Sequence, residues 1–516
     1  MSSITPAQLS AFNSPVHTRS NLVWGVAICW GVMLVLGLSI FIAANGFDSP
    51  DSRTYLIPWA IAAGAVISIP ALYLWVRGRF DPFHPMVFAA WSFFLPGFFV
   101  GALLLAAGIL QPSFLQLVGD ERYNLPLTLV YAMVGFAALA IGFFLPWGRF
   151  IGTRLGSSLP EWRLSPRTIP MAGTILLSIG LATNAVSFLQ GRFGYQRLDD
   201  IPTYNGLVYL VSLYWIEASF LLWLYIFRDG AGTRRYVLSG MLVGSAILYA
   251  IFAGNRGSLL QSTFVLGFAY VLSGRKITFK QYVTGGAIVF TAVAVGMIYG
   301  TTFRTLKGNQ DTVSAGEYTA IIGSTFDRIS KQDPSAVLAQ SAGDLAGRLD
   351  ATPSLAVVVS NYEALAVDEQ QWGISNNIVV DTAFFIVPRI LWESKPVGIP
   401  PESYAELYFN YRENSFTMTP MGDLLRNFGP IGVPVGMLLL GIFIRIVYAA
   451  LVEGGKFSYW RLMVYFMLIS SIQYEGTFGL IVPTLSKIGF ASVIGVLIVM
   501  FIAYIGRGGT RAPAAA

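Results

Sequence analysis

Long apolar runs alternate with short polar segments along most of the chain. Most runs approach or exceed the roughly 20 residues that a helix needs to cross about 30 Å of hydrocarbon. The runs occupy residues 22–44, 56–76, 85–109, 125–147, 169–190, 207–227, 236–253, 258–273, 282–301, 428–450, 460–475 and 483–505. This pattern predicts an all-α polytopic membrane protein with about twelve transmembrane helices.

One long polar segment, residues 302–427, separates the ninth run from the tenth. It divides the chain into a transmembrane bundle of nine spans (1–301), a large loop (302–427), and a bundle of three spans with a short tail (428–516). Within the loop, Tyr318 to Ile329 places apolar side chains at helical spacing, and Ile378 to Trp392 is apolar enough to lie in the membrane interface. We expect short amphipathic helices there.

Lysine and arginine indicate the orientation of the spans, because short cytoplasmic loops carry an excess of them. With the N-terminus inside, the inner segments hold seventeen Lys and Arg residues, and the short outer loops hold five. We therefore expect both termini in the cytoplasm and the large loop in the periplasm of a bacterial inner membrane.

Composition supports a lipid-embedded chain, since 55% of the residues are apolar and only 12% are charged. The formal net charge of +6 raises the alternative of nucleic-acid binding. The basic residues are instead scattered through short loops, which membrane topology explains. No nucleic-acid partner is expected, whereas membrane lipid is.

Arginine is frequent in the predicted outer segments. The large loop contains Arg304, Arg328, Arg348, Arg389, Arg412 and Arg426, and Arg256 lies in a shorter outer turn. Guanidinium binds phosphate bidentately, so the pattern favours an anionic substrate such as a lipid diphosphate. Pairing with nearby carboxylates or lipid headgroups is the alternative for each of them. Among these residues, Arg256 stands out because it lies in a Gly254-Asn255-Arg256-Gly257 turn between two apolar runs.

A general base on the outer side would have to be a carboxylate, because both histidines, His17 and His84, fall in predicted cytoplasmic segments. Asp423 and Glu475 are the catalytic candidates, since each lies where a polar segment meets a span. Phosphate-loop, nucleophile-elbow and zinc-protease motifs do not occur in the sequence. We expect no metal and no cofactor.

Three segments resemble the oligosaccharide repeat-unit polymerases, the O-antigen polymerase group of membrane glycosyltransferases. They are the motif of residues 252–257, FAGNRG; residues 386–396, IVPRILWESKP; and residues 417–432, TMTPMGDLLRNFGPIG. Their order, the dozen spans and the single large outer loop are all similar to that family.

The resemblance implies that a growing glycan is transferred on the periplasmic face from its polyprenyl diphosphate carrier to a lipid-linked repeat unit. Arg256, Arg389 and Arg426 fall inside the matching motifs, which implies diphosphate or acceptor binding; Arg304 and Arg348 are added by position alone. A chain-length regulator and a flippase are the partners that it suggests.

The rival interpretation is a transporter or flippase of lipid-linked oligosaccharide. Such a protein would need polar residues distributed within its spans, whereas here the spans are almost without charge.

Overall fold

The computed structural model describes residues 52–110, 112–162, 164–194, 205–275, 278–308, 313–332, 350–384, 392, 401–411, 418–453 and 457–508. All regular structure in these residues is helical. We number the helices α1 (Ile57–Val76), α2 (Pro85–Ala106), α3 (Glu121–Phe144), α4 (Pro146–Ser158), α5 (Ile169–Leu189), α6 (Asn205–Ser212), α7 (Tyr214–Arg228), α8 (Gly232–Ala253) and α9 (Ser258–Leu272). The remainder are α10 (Phe279–Lys307), α11 (Ala315–Lys331), α12 (Thr352–Asn361), α13 (Ala366–Gln371), α14 (Asn377–Phe384), α15 (Pro401–Phe409), α16 (Thr419–Tyr448), α17 (Tyr459–Ser470) and α18 (Phe478–Gly508).

Nine helical segments within the described ranges are long and apolar enough to cross a membrane. They correspond to nine of the twelve predicted spans. Two others, α9 and α17, form as helices of 15 and 12 residues. The run at 22–44 lies outside the described residues. The structure is thus that of a helical, multi-pass membrane protein.

The chain divides into two compact units that interleave along the sequence. Unit 1 comprises Met1–Leu159, Leu345–Gly455 and Ser471–Ser486, and unit 2 comprises Pro160–Asp344, Lys456–Ser470 and Lys487–Ala516. The polar segment 302–427 is therefore shared, with its first part belonging to unit 2 and its second part to unit 1.

In unit 1, α3 packs directly against α16 through glycines. A Cβ added at Gly142 of α3 would overlap the carbonyl of Leu438, and one added at Gly441 of α16 would overlap the carbonyl of Leu139. Backbones can approach this closely only where side chains are minimal. The glycines therefore set the register between the two helices.

Helix α16 turns back on itself at Gly429, whose φ of 69° and ψ of −168° are not helical. The Leu424 side chain lies against Gly436, although a straight helix would place these residues about 18 Å apart along its axis. Glycine at 429 permits the positive φ, and Pro430 starts the second part with its φ already set. The segment Thr419 to Phe428 is therefore a short helix folded against the span.

In unit 2, α10 and α11 form a hairpin around an aromatic core. Tyr299 and Phe303 of α10 pack with Tyr318 and Ile322 of α11. A capping box begins α11, in which the Ser314 hydroxyl and the Glu317 carboxylate each accept a hydrogen bond from the other's backbone N–H. This helix confirms the amphipathic pattern predicted from Tyr318 to Ile329.

Candidate functional site

The Arg426 guanidinium lies in the folded-back part of α16, and its side chain is fully buried. Its Nε donates to Asp423 Oδ1 at 3.0 Å, and its Nη1 donates to Glu369 Oε2 and to the carbonyl of Ile374, both at 3.1 Å. Its Nη2 donates to Asp423 Oδ1 at 2.8 Å, to Tyr404 Oη at 2.9 Å and to Asn377 Oδ1. All five N–H bonds of a guanidinium are accounted for by these acceptors.

The two carboxylates around Arg426 are held by further donors. Asp423, which is fully buried, accepts at Oδ2 from the backbone N–H of Gly479 at 2.9 Å, so it ties α16 to the start of α18. Glu369 Oε1 accepts from the hydroxyl of Tyr408 at 2.7 Å. Burial and the neighbouring Glu369 raise the pKa of Tyr408, which keeps this hydroxyl as a donor.

These bonds gather four separate pieces of the polar segment, α13, α14, α15 and the start of α16, around one cation. Tyr404 adds its ring, whose centroid lies 4.2 Å from the guanidinium carbon. A phosphate could reach Arg426 only by replacing one of its present acceptors. The predicted substrate-binding role of Arg426 and the catalytic role of Asp423 therefore stay predictions, and the contacts seen are those of positioning residues.

Glu475 is exposed in the turn between α17 and α18. Its neighbour Tyr474 is buried, with the ring centroid 5.7 Å from that of Phe94. The structure therefore places the second catalytic candidate on the surface of unit 1.

The Gly254-Asn255-Arg256-Gly257 turn joins α8 to α9 in unit 2, as the sequence predicts. Gly254 ends α8 in the left-handed conformation, with a φ of 63°. The side chain of Asn255 then starts α9 by accepting from the backbone N–H of Gly257 at 3.0 Å and from the hydroxyl of Ser258 at 2.6 Å. The turn is thus fixed at both ends, and Arg256 lies between the two fixed points.

Arg256 packs on a glycine face of α10. A Cβ at Gly300 would lie 2.7 Å from Arg256 Cγ, and one at Gly296 would lie 2.5 Å from its carbonyl oxygen. Arg304 follows Gly300 by four residues, so it lies on the same side of α10 about 6 Å further along the axis. Both arginines are half-buried. Arg304 and the packed part of Arg256 therefore lie on the same side of α10.

Aromatic side chains of α10 and α11 pack against this turn. A Cβ at Gly254 would lie 2.5 Å from Cε1 of Phe303 and 2.8 Å from the hydroxyl of Tyr318, and both rings are fully buried. The hydroxyl of Tyr299 donates to the carbonyl of Ile251 at 2.7 Å, which fastens the end of α8 to α10. Close packing and this hydrogen bond therefore hold the turn against α10.

Arg348 and Arg389, the remaining predicted binding residues, lie outside the described residues. No local sequence pattern identifies Glu369, Asn377 and Tyr404 as partners of Arg426. Arg426 itself indicates that such partners exist, since a cation next to a span requires buried counter-charges. Which of the distant carboxylates would supply them is a tertiary property.

Asp350 is a further buried carboxyl, which no sequence pattern distinguishes from the other acidic residues of the outer segments. Its Oδ1 accepts from the backbone N–H of Thr352 at 3.0 Å, and its side chain fits against Gly101 of α2, where a Cβ would lie 2.9 Å from Oδ1. Burial raises the pKa of Asp350 to about 7. In the described ranges, no three His, Cys, Asp or Glu side chains are grouped so that they could hold a metal ion.

Comparison of the chain with known protein families, with curated proteins and with solved structures gave no match.

Proposed function

We propose that the protein is a membrane glycosyltransferase that polymerises lipid-linked oligosaccharides on the periplasmic face of a bacterial inner membrane. In the reaction, a hydroxyl of the lipid-linked repeat unit attacks the anomeric carbon of the growing glycan. The bond between that carbon and the diphosphate oxygen breaks, a glycosidic bond forms, the hydroxyl proton is released, and polyprenyl diphosphate departs.

The observation that carries this proposal is the arrangement of Arg256 and Arg304 on one face of α10. Two arginines on the same side of one helix match a diphosphate in charge, and guanidinium groups bind phosphate oxygens bidentately. Because the Gly254 to Gly257 turn is fixed by α8, α9 and the aromatic core, Arg256 needs little reorganisation to bind the anion. Charge that develops on the leaving diphosphate would be stabilised by the same donors.

In this proposal Arg426 and Asp423 are positioning residues. Their cluster holds α13, α14 and α15, which belong to the second part of the polar segment, within unit 1. The reaction then needs neither metal nor cofactor, because diphosphate is already a good leaving group. The chain-length regulator and flippase suggested by the family resemblance stay predictions.

Purified protein supplied with lipid-linked repeat units tests the proposal. Wild-type protein is expected to lengthen the glycan, seen as a ladder on a gel. Arg256→Ala is expected to lower the rate by about 100-fold or more, the usual effect of removing a donor that stabilises transition-state charge. Arg256→Lys should recover only part of this loss, since lysine keeps the charge but not the planar fork.

Arg328→Ala is the matched control, because Arg328 is an exposed arginine of the same unit. It should polymerise at the wild-type rate. A normal ladder from Arg256→Ala would show that Arg256 is not part of the active site. Movement of the lipid-linked unit across vesicles without any lengthening would favour the flippase and contradict the polymerase.

A further inference from the structure

Helix α4 follows α3 after one extended residue, Leu145, and packs along the last turns of the α16 span. Gly148, Gly152 and Gly156 recur every four residues and form its packed face. A Cβ at Gly148 would lie 2.8 Å from Arg445 Cγ, one at Gly152 would lie 2.6 Å from the carbonyl of Ile446, and one at Gly156 would lie 2.7 Å from the carbonyl of Ala450. The position of α4 is therefore fixed relative to the end of a membrane span.

The side of α4 that is turned away from these glycines is apolar and exposed. Trp147 is 69% exposed, Phe150 55% and Ile151 43%, while Leu155, at 49%, lies next to the glycines. These residues continue the lipid-facing surface of α3, where Ile141 and Phe144 are also exposed. An apolar surface that is continuous with a span and contains a tryptophan is typical of the boundary between hydrocarbon and headgroups.

Arginines accompany this apolar surface. Arg149 is 65% exposed at its side chain, with its Nε 3.5 Å from a Glu453 oxygen. Glu453 is already paired with Arg445 at 2.8 Å and 3.1 Å, so its single charge is shared between two cations. Arg154 is exposed, with its guanidinium carbon 4.0 Å from the centroid of the Phe150 ring. Among these four groups, three cations and one anion leave a net charge of +2.

We propose that α4 binds an anionic phospholipid of the adjoining leaflet, with the headgroup phosphate at Arg154 and the acyl chains along Trp147, Phe150 and Ile151. Arg149, which faces Glu453, adds positive charge nearby. The apolar side chains account for the acyl chains, and the uncompensated charge accounts for a headgroup that is itself anionic. A zwitterionic lipid satisfies the first requirement and not the second. This surface lies in unit 1 and does not depend on the arginine pair of unit 2.

Native mass spectrometry of the delipidated full-length protein, with phosphatidylglycerol or phosphatidylcholine added at equal concentration, tests the charge requirement. Wild-type protein is expected to retain phosphatidylglycerol in preference to phosphatidylcholine. An Arg149→Ala, Arg154→Ala variant should bind phosphatidylglycerol about 25-fold more weakly, or about fivefold for each arginine removed.

The variant Arg234→Ala, Arg235→Ala removes the same charge from the first turn of α8 in unit 2 and should bind as wild type does. Equal retention of the two lipids by wild-type protein would overturn the proposal. So would an α4 variant that binds as wild type, or a control variant that loses as much as the α4 variant.

A nitroxide at position 151 tests the placement of α4 by itself. The sequence contains a single cysteine, Cys29, so Ile151→Cys in a Cys29→Ser background can be labelled specifically. In vesicles of phosphatidylglycerol and phosphatidylcholine, the label should be more accessible to oxygen than to a water-soluble nickel chelate. Preferential access of the nickel chelate would place α4 in water and would refute lipid binding there.

Discussion

Replacing Arg426 by alanine would leave two buried carboxylates without their cation. Asp423 would retain only the N–H of Gly479 and the amide of Asn427, at 2.9 Å and 3.2 Å. Glu369 would retain the hydroxyl of Tyr408. The carbonyl of Ile374 and the hydroxyl of Tyr404 would each lose a charged donor.

The expected loss of stability follows from burial. The side chains of Arg426 and Asp423 are fully buried, and that of Glu369 is 5% exposed, so water cannot easily replace the guanidinium. Removing one partner from a buried ion pair costs about 3–5 kcal/mol. At about 1.4 kcal/mol for each factor of ten, the clustered segments should open roughly a hundred to several thousand times more often.

Hydrogen exchange of the protein in detergent measures this opening directly. Amides of α13, α14 and α15 should lose protection in Arg426→Ala by the factor given above, while the helices of unit 2 keep theirs. Arg426→Lys should show an intermediate loss, since one ammonium cannot reach acceptors that surround a planar fork. Arg328→Ala, an exposed arginine, should leave exchange unchanged.

A compensated variant separates buried charge from lost packing. If unpaired carboxylates are the cause, Arg426→Met combined with Asp423→Asn and Glu369→Gln should recover much of the protection that Arg426→Ala loses. Unchanged exchange in Arg426→Ala would refute the reasoning that this cation organises the polar segment. Loss of protection throughout unit 2 would refute its confinement to one cluster.

Two further predictions concern glycine packing and a buried carboxyl. Gly300→Ala should displace Arg256, because Cγ and N of Arg256 lie 2.7 and 2.8 Å from the added Cβ, and should lower the rate of polymerisation severalfold. Gly286→Ala in the same helix is the control, since nothing lies within 4 Å of its added Cβ, and it should retain the wild-type rate. Folding raises the pKa of Asp350 from 3.8 to about 7, so its stabilising contribution is complete below about pH 4 and is lost as the pH rises through 7. The Tm of wild-type protein should therefore fall more steeply between pH 5 and pH 8 than that of Asp350→Asn; parallel curves would contradict this.

The spans could be predicted from sequence because hydropathy is a local property. The predicted start at 428 lies next to Gly429, where the chain turns into the span, and the predicted end at 253 coincides with the end of α8. The predicted end at 301 is too early, because α10 continues to Lys307. Arg304 and Lys307 lower the hydropathy of that last turn, while their charge favours the C-terminal end of a helix.

The candidate site could be predicted only where its residues are neighbours in sequence. Asp423 and Arg426 are three residues apart in one helical turn, and the turn around Arg256 is fixed by Asn255 and its two glycines. The approach of Gly300 to Arg256 and of Glu369 to Arg426 depends on how distant helices pack. No local pattern specifies that Glu369, rather than another acidic residue of the polar segment, is buried beside Arg426.

Arg256 and Arg304 are proposed to hold a diphosphate together, and equilibrium binding of polyprenyl diphosphate tests this most directly. Each charged hydrogen bond is worth about 1.5–3 kcal/mol, so Arg256→Ala and Arg304→Ala should each weaken binding by roughly 10- to 150-fold. The same substitutions should weaken the binding of polyprenyl monophosphate less, since the monophosphate presents fewer oxygens to the two arginines. Unchanged affinity of the Arg256→Ala, Arg304→Ala double variant for polyprenyl diphosphate would contradict the claim.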